Sequence, residues 1–137
     1  MITGLSHVSI VVPSLDAAAK RLKEVYGLDI GEVRTNEQQG VRMAYVELPN
    51  ARIELMEPSR PDSPVSKFLE KNPAGGQHHV CFEVPDIHAA KAEMEAKGAK
   101  VLGEPRIGAH GTLVLFLHPK GTGGVLVELM ESPRDAH

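Results

Sequence analysis

Two histidines and two glutamates recur at matching places in this chain. Residues 7–18 read HVSIVVPSLDAA and residues 79–90 read HVCFEVPDIHAA, a displacement of 72. Glu54-Leu55-Met56-Glu57 returns as Glu128-Leu129-Met130-Glu131, a displacement of 74. A single His or Glu within an apolar strand is ordinarily a surface group or a hydrogen-bonded core residue. The duplication changes that reading. His7, Glu54, His79 and Glu128 would bring four polar groups to one face, where leaving them buried and unpaired costs several kcal/mol each. A divalent cation removes that cost, and imidazole nitrogen with carboxylate oxygen suits several such ions without choosing among them.

The elements that must carry these residues repeat as well. Leu5–Val12 is β-branched and ends at Pro13, which predicts a strand. Ser14 caps a predicted helix over Leu15–Tyr26, with Asp16 in its first turn and Gly27 as its stop. Strands follow over 28–34, 41–48 and 51–57, the last two joined by a turn at Pro49-Asn50. The second copy gives a strand over 78–84 and a helix over 86–97, capped by Asp86 and stopped by Gly98. Strands over 99–104, 112–118 and 125–131 complete it. Within the Pro-rich connector, Ser63-Pro64 predicts the start of a short helix reaching Lys71. The pattern is βαβββ twice, an α+β fold in one domain over 1–137: module one 1–57, connector 58–76, module two 77–131 and a tail 132–137.

Strand alternation assigns the faces. Val8, Ile10 and Val12 lie opposite His7, Ser9 and Val11; Val80, Phe82 and Val84 lie opposite His79, Cys81 and Glu83. Ile53 and Leu55 lie opposite Glu54 and Met56, and Val127 and Leu129 opposite Glu128 and Met130. One face is thus expected to pack on helices, and the other to present His7, Glu54, His79 and Glu128. His78 falls on the helix-packed side. His110 sits in a Gly-flanked loop, where a chemical role and a solvated side chain weigh equally. His88, His118 and His137 read as helix surface, strand end and tail.

Composition excludes several classes. A net charge of −3 argues against nucleic acid or an anionic membrane as partner. Cys81 is the only cysteine, so no intrachain disulfide is expected and a reducing compartment fits. The first residues enter a strand directly, without a signal or transit peptide or a membrane-length apolar run, so a cytoplasmic protein is expected.

The paired His and Glu positions on a tandem βαβββ frame resemble the vicinal oxygen chelate superfamily. Further stretches resemble its methylmalonyl-CoA epimerase family over almost the whole chain: Asp62-Ser63-Pro64-Val65 leading to Phe68-Leu69, Gly75-Gly76-Gln77-His78-His79, and Ile107-Gly108-Ala109-His110-Gly111. The most specific is Phe116-Leu117-His118-Pro119-Lys120 followed by Gly123-Gly124-Val125-Leu126-Val127-Glu128-Leu129.

The resemblance implies a curved eight-stranded mixed sheet around one divalent ion held by His7, Glu54, His79 and Glu128. Cobalt is the ion it suggests; zinc, nickel and manganese fit the same donors. It further implies an isomerase of propionate metabolism acting on an acyl-CoA. In that reaction the C2 proton of methylmalonyl-CoA is removed and returned through an enediolate whose charge a Lewis acid stabilises. Glu128 takes the acid/base role and Glu54 is the second carboxylate. Some members of the family carry a further base on the third strand, where this chain has Met43, and Glu47 is the nearest substitute. Arg60, Arg106 and Lys120 are candidate phosphate contacts for coenzyme A, weighed against ordinary solvated charge. The resemblance also allows a homodimer. A metal-dependent glyoxalase I-like lactoylglutathione lyase uses an equivalent ligand set and is the alternative enzyme. A ring-cleaving dioxygenase fits less well, because that chemistry favours two His and one carboxylate. A metal-free binding module would need an aromatic-lined groove, and the chain has three Phe, two Tyr and no Trp.

Overall fold

Both predicted helix caps form. Ser14 Oγ accepts from Ala17 N at 3.1 Å at the start of α1 (Leu15–Tyr26), and Asp86 Oδ1 accepts from Ala89 N at 3.1 Å at the start of α3 (Ile87–Ala96). Gly27 closes α1 in the left-handed region at φ 68°, donating to Leu22 and Lys23 carbonyls, a conformation that favours glycine. In the connector, Ser63 caps α2 (Pro64–Lys71), with Pro64 in the first turn, where its missing N–H costs nothing.

The computed structural model describes residues 1–108 and 111–132. Its strands are β1 (Gly4–Val11), β2 (Arg34–Asn36), β3 (Val41–Glu47), β4 (Arg52–Pro58), β5 (Gly76–Val84), β6 (Val101–Ile107), β7 (Leu113–Leu117) and β8 (Val127–Glu131). They form an eight-stranded mixed sheet in the order β2-β3-β4-β1-β5-β8-β7-β6. With three helices the fold is α+β, and the predicted βαβββ order appears twice.

The chain divides into two compact units, one running Val8–His78 and the other comprising Met1–His7 and the chain from His79 onward. In the Val8–His78 unit, β2, β3 and β4 pair antiparallel and β1 lies beside β4. One side of these strands packs on α1: Leu15, Val46 and Leu55 are buried there, with Ile10, Val12, Leu22 and Ile53 against them. The other side packs on α2 through Val11, Val41, Met43, Met56 and Val65. In the remaining unit, β5 and β8 run parallel, and β8-β7-β6 continue antiparallel. Its core joins Val84, Ile87, Ala90, Leu115, Leu117, Val127 and Leu129 beneath α3.

Among the strand boundaries that differ from expectation, three have a clear physical reason. The strand predicted over 28–34 is confined to Arg34–Asn36. Leu28, Ile30 and Val33 are half-buried against the Leu15–Val46–Leu55 cluster, so their apolar spacing reports packing rather than a ladder. The strand predicted over 99–104 instead spans Val101–Ile107 and runs through Pro105, with a register irregularity between Leu102 and Arg106. A sheet edge tolerates a residue without an N–H, and β6 is at the edge. The last strand begins at Val127 rather than 125; the carbonyl of Val125 accepts from the Thr122 hydroxyl instead.

Candidate metal centre

β1, β5 and β8 bring His7, His79 and Glu128 together. His7 and His79 are buried, at 2% and 5% exposure. Their Nε2 atoms lie 3.3 and 3.2 Å from the same oxygen, Oε1 of Glu128. The two imidazoles meet edge to face with centroids 5.5 Å apart, and Phe116 packs edge-on against His79 at 5.4 Å. Ser6 Oγ hydrogen-bonds His7 Nδ1 at 3.0 Å, which orients the ring so that Nε2 addresses Glu128. Cys81 is directly across from Glu128 in the parallel ladder. Ligand atoms of His7, Cys81 and Glu128 lie within 4.8 Å of one another.

This donor set fits a divalent ion. Charge-assisted N–H···O bonds are shorter, about 2.7–2.9 Å. Two donors each about 2.1 Å from one ion stand roughly 3.0–3.4 Å apart, which matches both His–Glu separations. Burial pushes the Glu128 carboxyl up, but hydrogen bonds and charge from His7 and His79 outweigh it and hold the group down at about 2. Glu128 is therefore an anion at neutral pH, as a metal ligand must be.

Glu54 belongs to the Val8–His78 unit and is 5% exposed. Both of its oxygens accept from hydroxyl groups: Ser9 Oγ donates to Oε1 at 2.5 Å, and Tyr45 OH donates to Oε2 at 2.7 Å. Tyr45 is opposite Glu54 in the β3–β4 hairpin. Tyr45 lies outside the repeated segments of the sequence. The turn at Pro49-Asn50 was the available signal, because counting back from it sets Tyr45 across from Glu54.

The third-strand position lacks an acid–base group. Met43 is buried beneath α2 among Val11, Met56 and Val65. Glu47 is an exposed strand end, 3.8 Å from Arg52. His78 packs edge-on against Phe68 of α2 at 5.3 Å; that helix covers the Val11, Met43 and Met56 side of the strands, not the α1-packed side to which alternation assigns His78. His118 does more than end a strand: its Nδ1 accepts from Lys120 N at 3.0 Å and caps the 3-10 turn Pro119–Gly121. His88 is exposed on α3. Arg60 pairs with Asp62 at 2.8 Å and donates to the Glu37 carbonyl at 2.6 Å, an internal loop role. Arg106 and Lys120 are exposed. His110 and His137 lie outside the described residues.

The second glutamate of each repeated tetrad has a different task. Glu57 Oε1 accepts from Leu15 N at 3.1 Å, and Glu131 Oε2 accepts from Ile87 N at 2.9 Å. Each caps the N-terminus of the helix in its own unit, where a carboxylate satisfies an orphan N–H and favours the helix dipole. One glutamate of each tetrad thus supports the fold.

Residues 6–116 match the model of the Glyoxalase/Bleomycin resistance protein/Dioxygenase superfamily. The chain belongs to that superfamily and, within it, to the methylmalonyl-CoA epimerase family. It is 51% identical over 131 residues to the ethylmalonyl-CoA/methylmalonyl-CoA epimerase of Cereibacter sphaeroides, covering 94% of this chain and 98% of that protein. The mitochondrial methylmalonyl-CoA epimerase of Homo sapiens is 46% identical over 129 residues, covering 93% of this chain and 73% of its own. Among solved structures, the Mycobacterium tuberculosis methylmalonyl-CoA epimerase superposes with a TM-score of 0.85 at 34% identity, covering 98% of this chain and 92% of that one. A methylmalonyl-CoA epimerase in complex with methylmalonyl-CoA and NH4+ superposes with a TM-score of 0.87 at 38% identity, covering 98% and 97%.

Proposed function

We propose that this chain interconverts (2R)- and (2S)-methylmalonyl-CoA as a metal-dependent epimerase. The observation that carries the reading is the convergence of His7 Nε2 and His79 Nε2 on Glu128 Oε1, in a member of this family. Glu54 completes the ligand set by repeat position, since it stands in module one where Glu128 stands in module two. A divalent ion held by these four residues supplies Lewis-acid stabilisation of negative charge on the substrate. Cobalt is the assigned ion, and zinc, nickel or manganese would present the same charge to the same donors.

The chain's own groups handle the proton. Both imidazoles address Oε1 of Glu128, so Oε2 is the oxygen assigned to take the proton from C2. The electron pair left behind spreads into the thioester carbonyl. Return of a proton to the opposite face inverts the centre, with Glu54 as the second carboxylate. Met43 cannot serve there, because a thioether in an apolar cluster holds no transferable proton.

Phe116 and the buried thiol of Cys81 flank the His7, His79 and Glu128 cluster with low-polarity groups, which strengthens electrostatic stabilisation of a developing anion. The substrate class is an acyl-CoA, and a homodimer is the assembly the family resemblance allows; the net charge of −3 argues against nucleic acid or an anionic membrane as partner. No helix among the described residues is long and apolar enough to cross a membrane. A cytoplasmic site of action is the matching assignment.

The test follows deuterium entry at C2 of methylmalonyl-CoA in heavy water, with metal-loaded and chelator-stripped protein. Metal-dependent exchange with loss of stereochemical purity is expected. No exchange by folded, metal-loaded protein would overturn the proposal and direct attention to hemithioacetal isomerisation.

A further inference from the structure

The two carboxylates stand at equivalent places in the duplicated frame, yet their immediate neighbours differ in one chemical respect. Glu54 is flanked by Ser9 on β1 and by Tyr45, its cross-strand partner on β3. The repeat displacement maps Ser9 onto Cys81, and Cys81 is the cross-strand partner of Glu128 on β5. The cross-strand partner of Glu128 on β7 is Phe116. Module one thus offers its glutamate two hydroxyl groups, and module two offers a thiol and a phenyl ring at the same register. Both hydroxyls are engaged, at 2.5 and 2.7 Å, one to each oxygen of Glu54.

We infer that Ser9 and Tyr45 are positioning residues that hold Glu54 in a metal-coordinating orientation through both oxygens, while Glu128 is anchored through Oε1 by the two imidazoles and Cys81 and Phe116 offer its Oε2, the oxygen assigned to the proton, no equivalent hydroxyl. The inference rests on the proposed ligand set and deepens it. A carboxylate accepting a strong O–H bond on each oxygen has its rotation about the last side-chain bond restrained, and outer-shell bonds of this kind hold a ligand in its coordinating orientation. A thiol is a weak donor and a phenyl ring is none, so they cannot hold Glu128 in the same way. The pseudo-symmetric pair is therefore unequal: Glu54 contributes more to retention of the ion, and Glu128 more to proton transfer.

Calorimetric titration of chelator-stripped protein with Co2+ tests this without substrate. Ser9→Ala and Tyr45→Phe are each expected to weaken Co2+ binding by about 10- to 100-fold and to shift the visible absorption of the cobalt-loaded protein. Ser9→Thr, which keeps the hydroxyl, is expected to restore both. The reciprocal change, Cys81→Ser with Phe116→Tyr, is expected to keep or tighten Co2+ binding while slowing deuterium entry at C2. Circular dichroism confirms that each variant is folded, and the two single hydroxyl deletions decide the matter if the double variant is not.

Wild-type Co2+ affinity and spectrum in folded Ser9→Ala and Tyr45→Phe would overturn the inference, whatever the catalytic activity. Hydroxyl-dependent Co2+ binding without any C2 exchange would leave the inference standing and overturn the epimerase assignment.

Discussion

At the scale of single residues, Glu128 concentrates the electrostatics. His7 and His79 hold its carboxyl at about 2, below the ordinary carboxylate value. Because the folded-state value is depressed, the stabilisation is fully present above the unfolded value, near 4.5, and is lost as pH falls from there toward about 2. In chelator-stripped protein, urea midpoints recorded from pH 6 to pH 2 are expected to fall through that window, and Glu128→Gln is expected to flatten the dependence. A second outcome belongs to the same atom. With metal restored, Glu128→Gln is expected to lose about 10²- to 10⁴-fold in C2 proton exchange, the usual contribution of a positioned acid–base group. The four recurring residues were legible because duplication marks them. Tyr45 was not, since its role depends on the residue it faces across a hairpin rather than on its own surroundings in the chain.

At the scale of elements, the second glutamate of each repeated tetrad serves architecture. Glu57 and Glu131 each cap a helix through its first backbone N–H. Replacing either with Gln keeps an acceptor oxygen but removes the charge that meets the helix dipole. Replacing either with Ala removes both. Expected losses in urea unfolding are about 0.5 kcal/mol for Gln and about 1 kcal/mol for Ala. Glu57 variants are expected to lose somewhat more, because Arg42 also donates to that carboxylate at 3.1 Å. Co2+ affinity should stay within twofold of wild type, which separates this glutamate from Glu54 and Glu128. The helices, their caps and most strands were readable from local signals of period and capping. The strand expected over 28–34 forms only at Arg34–Asn36, because Leu28, Ile30 and Val33 pack on the Leu15, Val46 and Leu55 cluster rather than pair.

At the scale of the whole molecule, the proposed metal would link binding to folding. An ion that binds only the native state adds RT ln(1 + [ion]/Kd), about 2.7 kcal/mol at a hundredfold excess over Kd. Chelation is therefore expected to lower the melting temperature by several degrees, and stoichiometric Co2+ to restore it. Calorimetric scans of both forms would check this, and a melting temperature indifferent to metal would contradict the ligand set.

The amino-acid order alone determined the duplicated α+β frame, the helix caps and the side of each strand on which His7, Glu54, His79 and Glu128 lie. These depend on neighbours a few residues away, through side-chain alternation and the geometry of helix ends. Only the tertiary structure decided which side chains surround each carboxylate. Strand register brings Tyr45 to Glu54, and brings Cys81 and Phe116 to Glu128. It also decided that Pro105 is tolerated inside β6, because that strand forms a sheet edge. Register is set by packing between segments distant in sequence, so a local pattern can mark a candidate ligand without revealing what holds it in place.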